Sequence, residues 1–120
     1  MLVDHHLALL HDAGLDRCQE GIVQDEEWTV GVVPVQSGLF VGWLDCEWQE
    51  PHTPVSLLRG VEHLPSHHAE DALPAALARA RRKRARAMRT CRRCGERFVR
   101  GHIGPTSCHG CMEKHERVTF

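Results

Sequence analysis

The sequence predicts an α+β chain in three parts: a small N-terminal helix plus β-hairpin unit, a long basic helix, and a cysteine-paired C-terminal finger. Three observations predict it. Apolar residues recur at helical spacing in residues 3–13, short runs rich in Val, Trp, Phe and Thr follow, and the last third carries two C-x2-C pairs behind an Ala/Arg-rich run.

The elements follow in order. Val3, Leu7 and Leu10, with Leu9 beside them, lie on one face of a helix over residues 3–13, with Asp4 in its first turn and Gly14 as its stop. WTVGVV, PVQSG and LFVGWLDCEW then read as a β-hairpin over residues 28–48 turning at Ser37-Gly38. In its second arm Phe40, Gly42, Leu44 and Cys46 share one face, and Val41, Trp43, Asp45 and Glu47 the other. Pro34 marks an arm end or an edge. Residues 51–71 are punctuated by Pro51, Pro54 and Pro65, and VSLLRGVEHL within them fits a short helix or a third strand equally. Asp71 then serves as N-cap for a helix over residues 72–90, with Pro74 at the third helical position and seven alanines supplying propensity. Its apolar stripe is thin: Leu73, Leu77, Ala80, Ala87 and Met88, interrupted by Arg84. The expected organisation is an acidic α+β unit over 1–70, the basic helix or linker over 71–90, and the finger over 91–120.

Composition bounds the class. The 120 residues are 42% hydrophobic with no Tyr, so the core is aliphatic, and no run of eighteen apolar residues spans a membrane. The segment MLVDHHLALLHD has neither a basic n-region nor a small-residue cleavage site, so the expected location is the cytoplasm, where thiols stay reduced. That favours metal over disulfides for the paired cysteines. Isolated Cys18 and Cys46 read as small buried hydrophobes.

The net charge of −1 conceals a strong polarity. Residues 1–78 carry thirteen acidic groups against Arg17 and Arg59, whereas residues 79–100 carry eleven Lys or Arg against Glu96 alone. Such a basic run attracts phosphate backbones through counterion release. The acidic part repels them, or folds back onto the basic run.

Cys91, Cys94, Cys108 and Cys111 form C-x2-C, thirteen residues, C-x2-C. Each pair can aim two thiolates into one coordination sphere from a tight turn, and together they suit one structural Zn²⁺. CRRCGERF reads as a zinc knuckle, with Gly95 just past the second cysteine and a strand starting at Phe98. In CHGCMEKHERV the first cysteine falls at the start of a helix, whose dipole favours thiolate. That order is the treble-clef arrangement; a zinc ribbon of two knuckles is the alternative. Four cysteines leave no open coordination position, so the site is structural rather than catalytic.

The segment CRRCGERFVRGHIGPTSCHGC resembles the four-cysteine finger of the DksA/TraR family, which also follows a long helix and reads CxxCGE. Cys91, Cys94, Gly95, Glu96, Pro105, Cys108 and Cys111 match by position or order. The resemblance implies a zinc finger after a helix and, by extension, action on transcription. It covers about thirty of the 120 residues, and the thirteen-residue gap is shorter than that family's usual one. GHIGP before the second pair is also similar to the element of treble-clef HNH nucleases that carries a general-base histidine, here His102. However, Gly101 replaces its acidic residue and the Asn-bearing segment is missing, so His102 reads as a polar loop residue. The ten histidines read as surface groups, the adjacent pairs His5-His6 and His67-His68 diverging around a helix.

No Ser/His/Asp pattern, Walker loop or GxGxxG occurs, and no enzyme is expected. The expected function is a small nucleic-acid-binding or transcription-associated regulator. Its phosphate contacts would come from Arg81, Arg82, Lys83, Arg84, Arg86, Arg89, Arg92, Arg93, Arg97 and Arg100. Only Phe98 interleaves this run with an aromatic ring, so backbone contact is favoured over base stacking or sequence reading. The alternative is an adaptor module that docks an acidic protein surface beside a purely structural zinc.

Overall fold

The computed structural model of the chain describes residues 4–19, 21–50, 53–92 and 94–99. The element order is α1 (Asp4–Asp12), β1 (Arg17–Gln19), β2 (Ile22–Gln24), β3 (Val30–Val35), β4 (Gly38–Glu50), β5 (Thr53–Pro65), α2 (Ser66–Ala87), β6 (Arg89–Thr90) and β7 (Arg97–Phe98). Two compact units emerge: residues up to Leu44 with Leu58–Lys83, and Asp45–Leu57 with the chain from Arg84 onward. Strands β1 to β5 form an antiparallel sheet in sequence order, and β6 and β7 form a separate two-stranded ribbon.

In the first unit α1 ends as the glycine predicted. Leu15 N–H donates to the Leu10 carbonyl at 2.8 Å and Gly14 N–H to that of His11 at 3.0 Å, with Gly14 at φ +86°. These two bonds are a Schellman closure, and the apolar contact that accompanies it falls on Leu10 and Leu15, both fully buried. The chain then makes two strands that the sequence reading did not anticipate, β1 and β2, each three residues long and joined at Gly21. Cys18 lies exposed on the edge strand β1, a correction to its expected burial, whereas Cys46 is buried.

The turn between β2 and β3 is organised by one carboxylate. Asp25 Oδ1 accepts from the backbone N–H of Thr29 at 2.7 Å and of Val30 at 3.2 Å, and its Oδ2 accepts from the Thr29 hydroxyl. This ties together a turn in which Trp28 holds φ +58°, a left-handed value uncommon for a bulky residue.

The expected hairpin is β3–β4, in register Val30↔Trp43 to Val35↔Gly38, so the turn is Gln36-Ser37, one residue earlier than expected. Pro34 sits past the β2 pairing, which covers only Gly31 and Val32 of β3, so its missing N–H interrupts no β2–β3 pair. Gly38 is required by space: a Cβ there would fall 1.9 Å from the Leu64 carbonyl oxygen. The ambiguous run VSLLRGVEHL is strand, the central part of β5. Leu58 and Val61, three residues apart, both reach the same side of Gly42, and Gly60 between them holds φ +59°. An extra residue is thus accommodated as a bulge.

One face of the sheet carries Val23, Val30, Val32, Leu39, Val41 and Leu64 against Ala69, Leu73, Ala76, Leu77 and Ala80 of α2. These helix positions recur at intervals of three and four, as a single buried stripe requires. The stripe begins earlier than the sequence suggested, at Ala69, and Ala87 is exposed at its other end. This explains the first correction to the helix. α2 starts at Ser66, not after an Asp71 cap, because its first turn is needed to bury Ala69 and because Ser66 N–H is held by the Ser37 carbonyl at 3.0 Å. Pro74 therefore lies in the helix interior, on the exposed side. The second correction is at the other end. The helix stops at Ala87, and strand β6 separates it from Cys91.

Candidate nucleic-acid interface and metal knuckle

Helix α2 carries the cations because its Ala-rich sequence needs only one narrow buried stripe, leaving the rest of its circumference to arginine. The structure divides those cations by what lies beneath them. Arg79 meets the Glu62 carboxylate of β5 with two nitrogens: Nη2 lies 2.9 Å from Oε1, and Nε lies 2.9 Å from Oε2. Lys83 Nζ lies 3.7 Å from Glu62 Oε2 and donates to the Gly60 carbonyl at 3.1 Å. Arg81 Nη2 lies 3.8 Å from Asp25 Oδ2. The hydrogen bond from Arg79 holds the Glu62 carboxyl below its ordinary pKa against the opposing effect of burial, helped by the charges of Arg79 and Lys83. The same bond raises the Arg79 guanidinium. The acidic part thus does fold back on the basic helix, through Glu62 and Asp25.

Four cations of the expected surface differ from these. Arg82, Arg86, Arg89 and Arg92 are exposed, and none has a carboxylate partner among the described residues. Arg84 is half-buried; its Nη1 faces Met88 Sδ at 3.5 Å, and its Nε is buried with no hydrogen-bond partner among the described residues. Arg97 donates to the Ala85 carbonyl in the last turn of α2, where a cation also suits the helix dipole. Arg93 and Arg100 lie outside the described residues. The ten expected positions therefore separate into bare, held and undescribed groups. Arg79, left out of the expected set, belongs with the held ones; its only sequence signal is its place at the head of the basic run.

The first cysteine pair sits in the β6–β7 ribbon, in register Arg89↔Phe98 and Thr90↔Arg97. Within the loop, Cys91 N–H donates to the Glu96 carbonyl at 2.8 Å, and Gly95 N–H to the Cys91 carbonyl at 2.9 Å. Cys94 N–H points at Cys91 Sγ, 3.5 Å away. Gly95 holds φ +76°, a conformation that costs a residue with a Cβ roughly 1–2 kcal/mol. An N–H aimed at sulfur stabilises the thiolate over the thiol, the form a metal needs. Cys91 is fully buried, Cys94 exposed. The chain thus turns tightly between Cys91 and Gly95, closed by backbone bonds at both ends. Cys108 and Cys111 lie outside the described residues, as does His102. No three metal-ligating side chains converge among the described residues, which contain only half of the expected quartet.

Two further expectations can be compared. His67 and His68 do not diverge: their rings sit 4.2 Å apart, tilted by 46°, on the first turn of α2. Near them a cavity of about 330 Å³ is lined by Leu9, Asp12, His67, Glu70 and Asp71 among others. Among the described residues no helix is long and apolar enough to cross a membrane.

No family model matches this chain, and neither a curated protein nor a solved structure matches it.

Proposed function

We propose that this chain is a small zinc-finger protein that binds the phosphate backbone of a nucleic acid and acts as a transcription-associated regulator. The observation that carries the reading is the set of exposed arginines without carboxylate partners among the described residues, Arg82, Arg86, Arg89 and Arg92. Guanidinium groups left bare in a chain whose first 78 residues hold thirteen acids are available to an external polyanion. Cys91, Cys94, Cys108 and Cys111 would hold one Zn²⁺, and the N–H aimed at Cys91 Sγ supports this. The metal supplies folding energy to a short segment and no reaction chemistry. The chain is not proposed to be an enzyme.

The finger's likeness to the DksA/TraR type supports the transcriptional part of the reading; phosphate contact rests on the arginines alone. A second reading, an adaptor that docks an acidic protein surface, is favoured by one observation: the helix already receives a carboxylate in bidentate fashion at Arg79. Retention of the intact chain on immobilised duplex DNA in a salt gradient separates the two. Retention at low salt that falls away as salt rises is expected, and flow-through at low salt ends the nucleic-acid reading.

A further inference from the structure

We propose that Glu62 is an internal competitor for phosphate: it occupies Arg79 and Lys83 and so confines a bound polyanion to the arginines that no carboxylate among the described residues holds. This rests on the polyanion reading above and assigns its regulation to one residue. Both Glu62 oxygens are engaged, Oε1 by Arg79 Nη2 at 2.9 Å, and Oε2 by Arg79 Nε at 2.9 Å and Lys83 Nζ at 3.7 Å. The two-pronged contact to Arg79 is the geometry by which arginine takes a phosphate, so the carboxylate stands where a phosphate oxygen pair would. The cluster is not sealed from a ligand: the side chains of Arg79, Lys83 and Glu62 keep 42%, 33% and 26% of their exposure. A phosphate arriving at Arg79 must displace one anion to form a contact of the same kind, and the displaced carboxylate still repels it. Such a cation adds little to counterion release, unlike a bare one.

Asp25 stands in the same relation to Arg81, at 3.8 Å, but its oxygens also hold the β2–β3 turn, so removing it would disturb the fold. Glu62 has no such duty. Among the described residues its side chain meets only Arg79 and Lys83 of α2. The density of positive charge in the sequence therefore overstates the charge offered to a partner, and Glu62 sets much of the difference.

The test is binding of a labelled mixed-sequence DNA duplex by the full chain over a salt series. Glu62→Gln keeps the size of the side chain and releases the cations. It is expected to bind more tightly at low salt, with a log–log salt slope steeper by about 0.9 for each cation released. Glu70→Gln removes the same charge from α2 at an exposed residue with no ion-pair partner among the described residues, and is expected to leave the slope unchanged. A Glu62→Gln slope equal to the native one, or an equal steepening in Glu70→Gln, overturns the proposal. If Glu62→Gln fails to fold, Arg79→Gln in the native background decides: an unchanged slope is expected, and a loss of about one unit contradicts masking. Failure of the native chain to bind at low salt ends the polyanion reading itself. The Glu62 claim then survives only if Glu62→Gln gains binding that a further Arg79→Gln removes.

Discussion

The β1–β5 sheet with the start of α2, and the cysteine ribbon β6–β7, are held together by different means. In the sheet unit, fully or nearly fully buried side chains from Leu10 to Ala80 make one apolar core, and polar groups are added at its margins. In the ribbon two residues pair with two, and the fixed features are backbone bonds around Cys91 and the Arg97 contact to Ala85. Two-stranded ribbons are marginal alone in water, so the sheet unit folds on burial, whereas the ribbon would draw its stability from the zinc proposed above. The arginines follow the same division. Where helix α2 lies over the sheet, Arg79, Arg81 and Lys83 find Glu62 and Asp25, with exposed Arg82 the exception; at its end and along the ribbon, Arg86, Arg89 and Arg92 find no carboxylate among the described residues. One residue type thus serves as internal ballast in one region and as an available contact in the other.

The sharpest way to break this contrast is to deny the ribbon its proposed metal. Chelation, or Cys94→Ser, should abolish amide protection of residues 89–98 while leaving exchange in β3 and β4 unchanged. The free energy at stake in such sites is roughly 10 kcal/mol or more. Equal loss of protection in both regions would show that the two depend on one stabilising principle. Intact-mass analysis should find one zinc per chain, lost in the variant.

Leu73→Ala attacks the other side. Leu73 is fully buried on the inner face of α2, and truncation should lower unfolding stability by roughly 2–5 kcal/mol in a denaturant titration, without loss of zinc. Asp25→Ala leaves two backbone N–H groups and a hydroxyl of the β2–β3 turn without their acceptor, at a cost of about 1.5–3 kcal/mol. A change below about 0.5 kcal/mol, the range of an ordinary surface substitution, would mean that Trp28 and its neighbours hold the turn without it.

The smallest expected effect is that of pH on Glu62. Its pKa is lower folded than unfolded, so its contribution is complete above the unfolded value and is lost as pH falls through the lowered folded one. Because the pair is partly exposed, the contribution is under about 1 kcal/mol. Comparing acid unfolding of the native chain with Glu62→Gln should show convergence at low pH and a small native advantage near neutrality.

The sequence made some of this visible and hid the rest for identifiable reasons. α1, the β3–β4 hairpin and the existence of α2 were legible because each has a period or a turn longer than its ambiguities. β1 and β2 were not, since three residues show no alternation. β5 was undecidable because the bulge at Gly60 puts Leu58 and Val61 on one side, a spacing that also suits a helix. The helix start is misplaced because Pro74 suits a first-turn position behind an Asp71 cap. The tight turn between Cys91 and Gly95 was legible because CxxCG is a local pattern, whereas Cys108 and Cys111 lie outside the described residues. The fate of each arginine was not. Arg79 meets Glu62 seventeen residues away, and Arg81 meets Asp25 on another hairpin, so the sorting into held and bare groups is tertiary.

The central claim is that the bare arginines, and not the held ones, meet the polyanion. Two triple variants of the intact protein test it against the same labelled duplex over a salt series: Arg82→Gln with Arg86→Gln and Arg89→Gln, and Arg79→Gln with Arg81→Gln and Lys83→Gln. The account predicts that the first loses about 2.7 units of log–log salt slope while the second keeps the native slope. Equal losses in both, or a larger loss in the second, would contradict it.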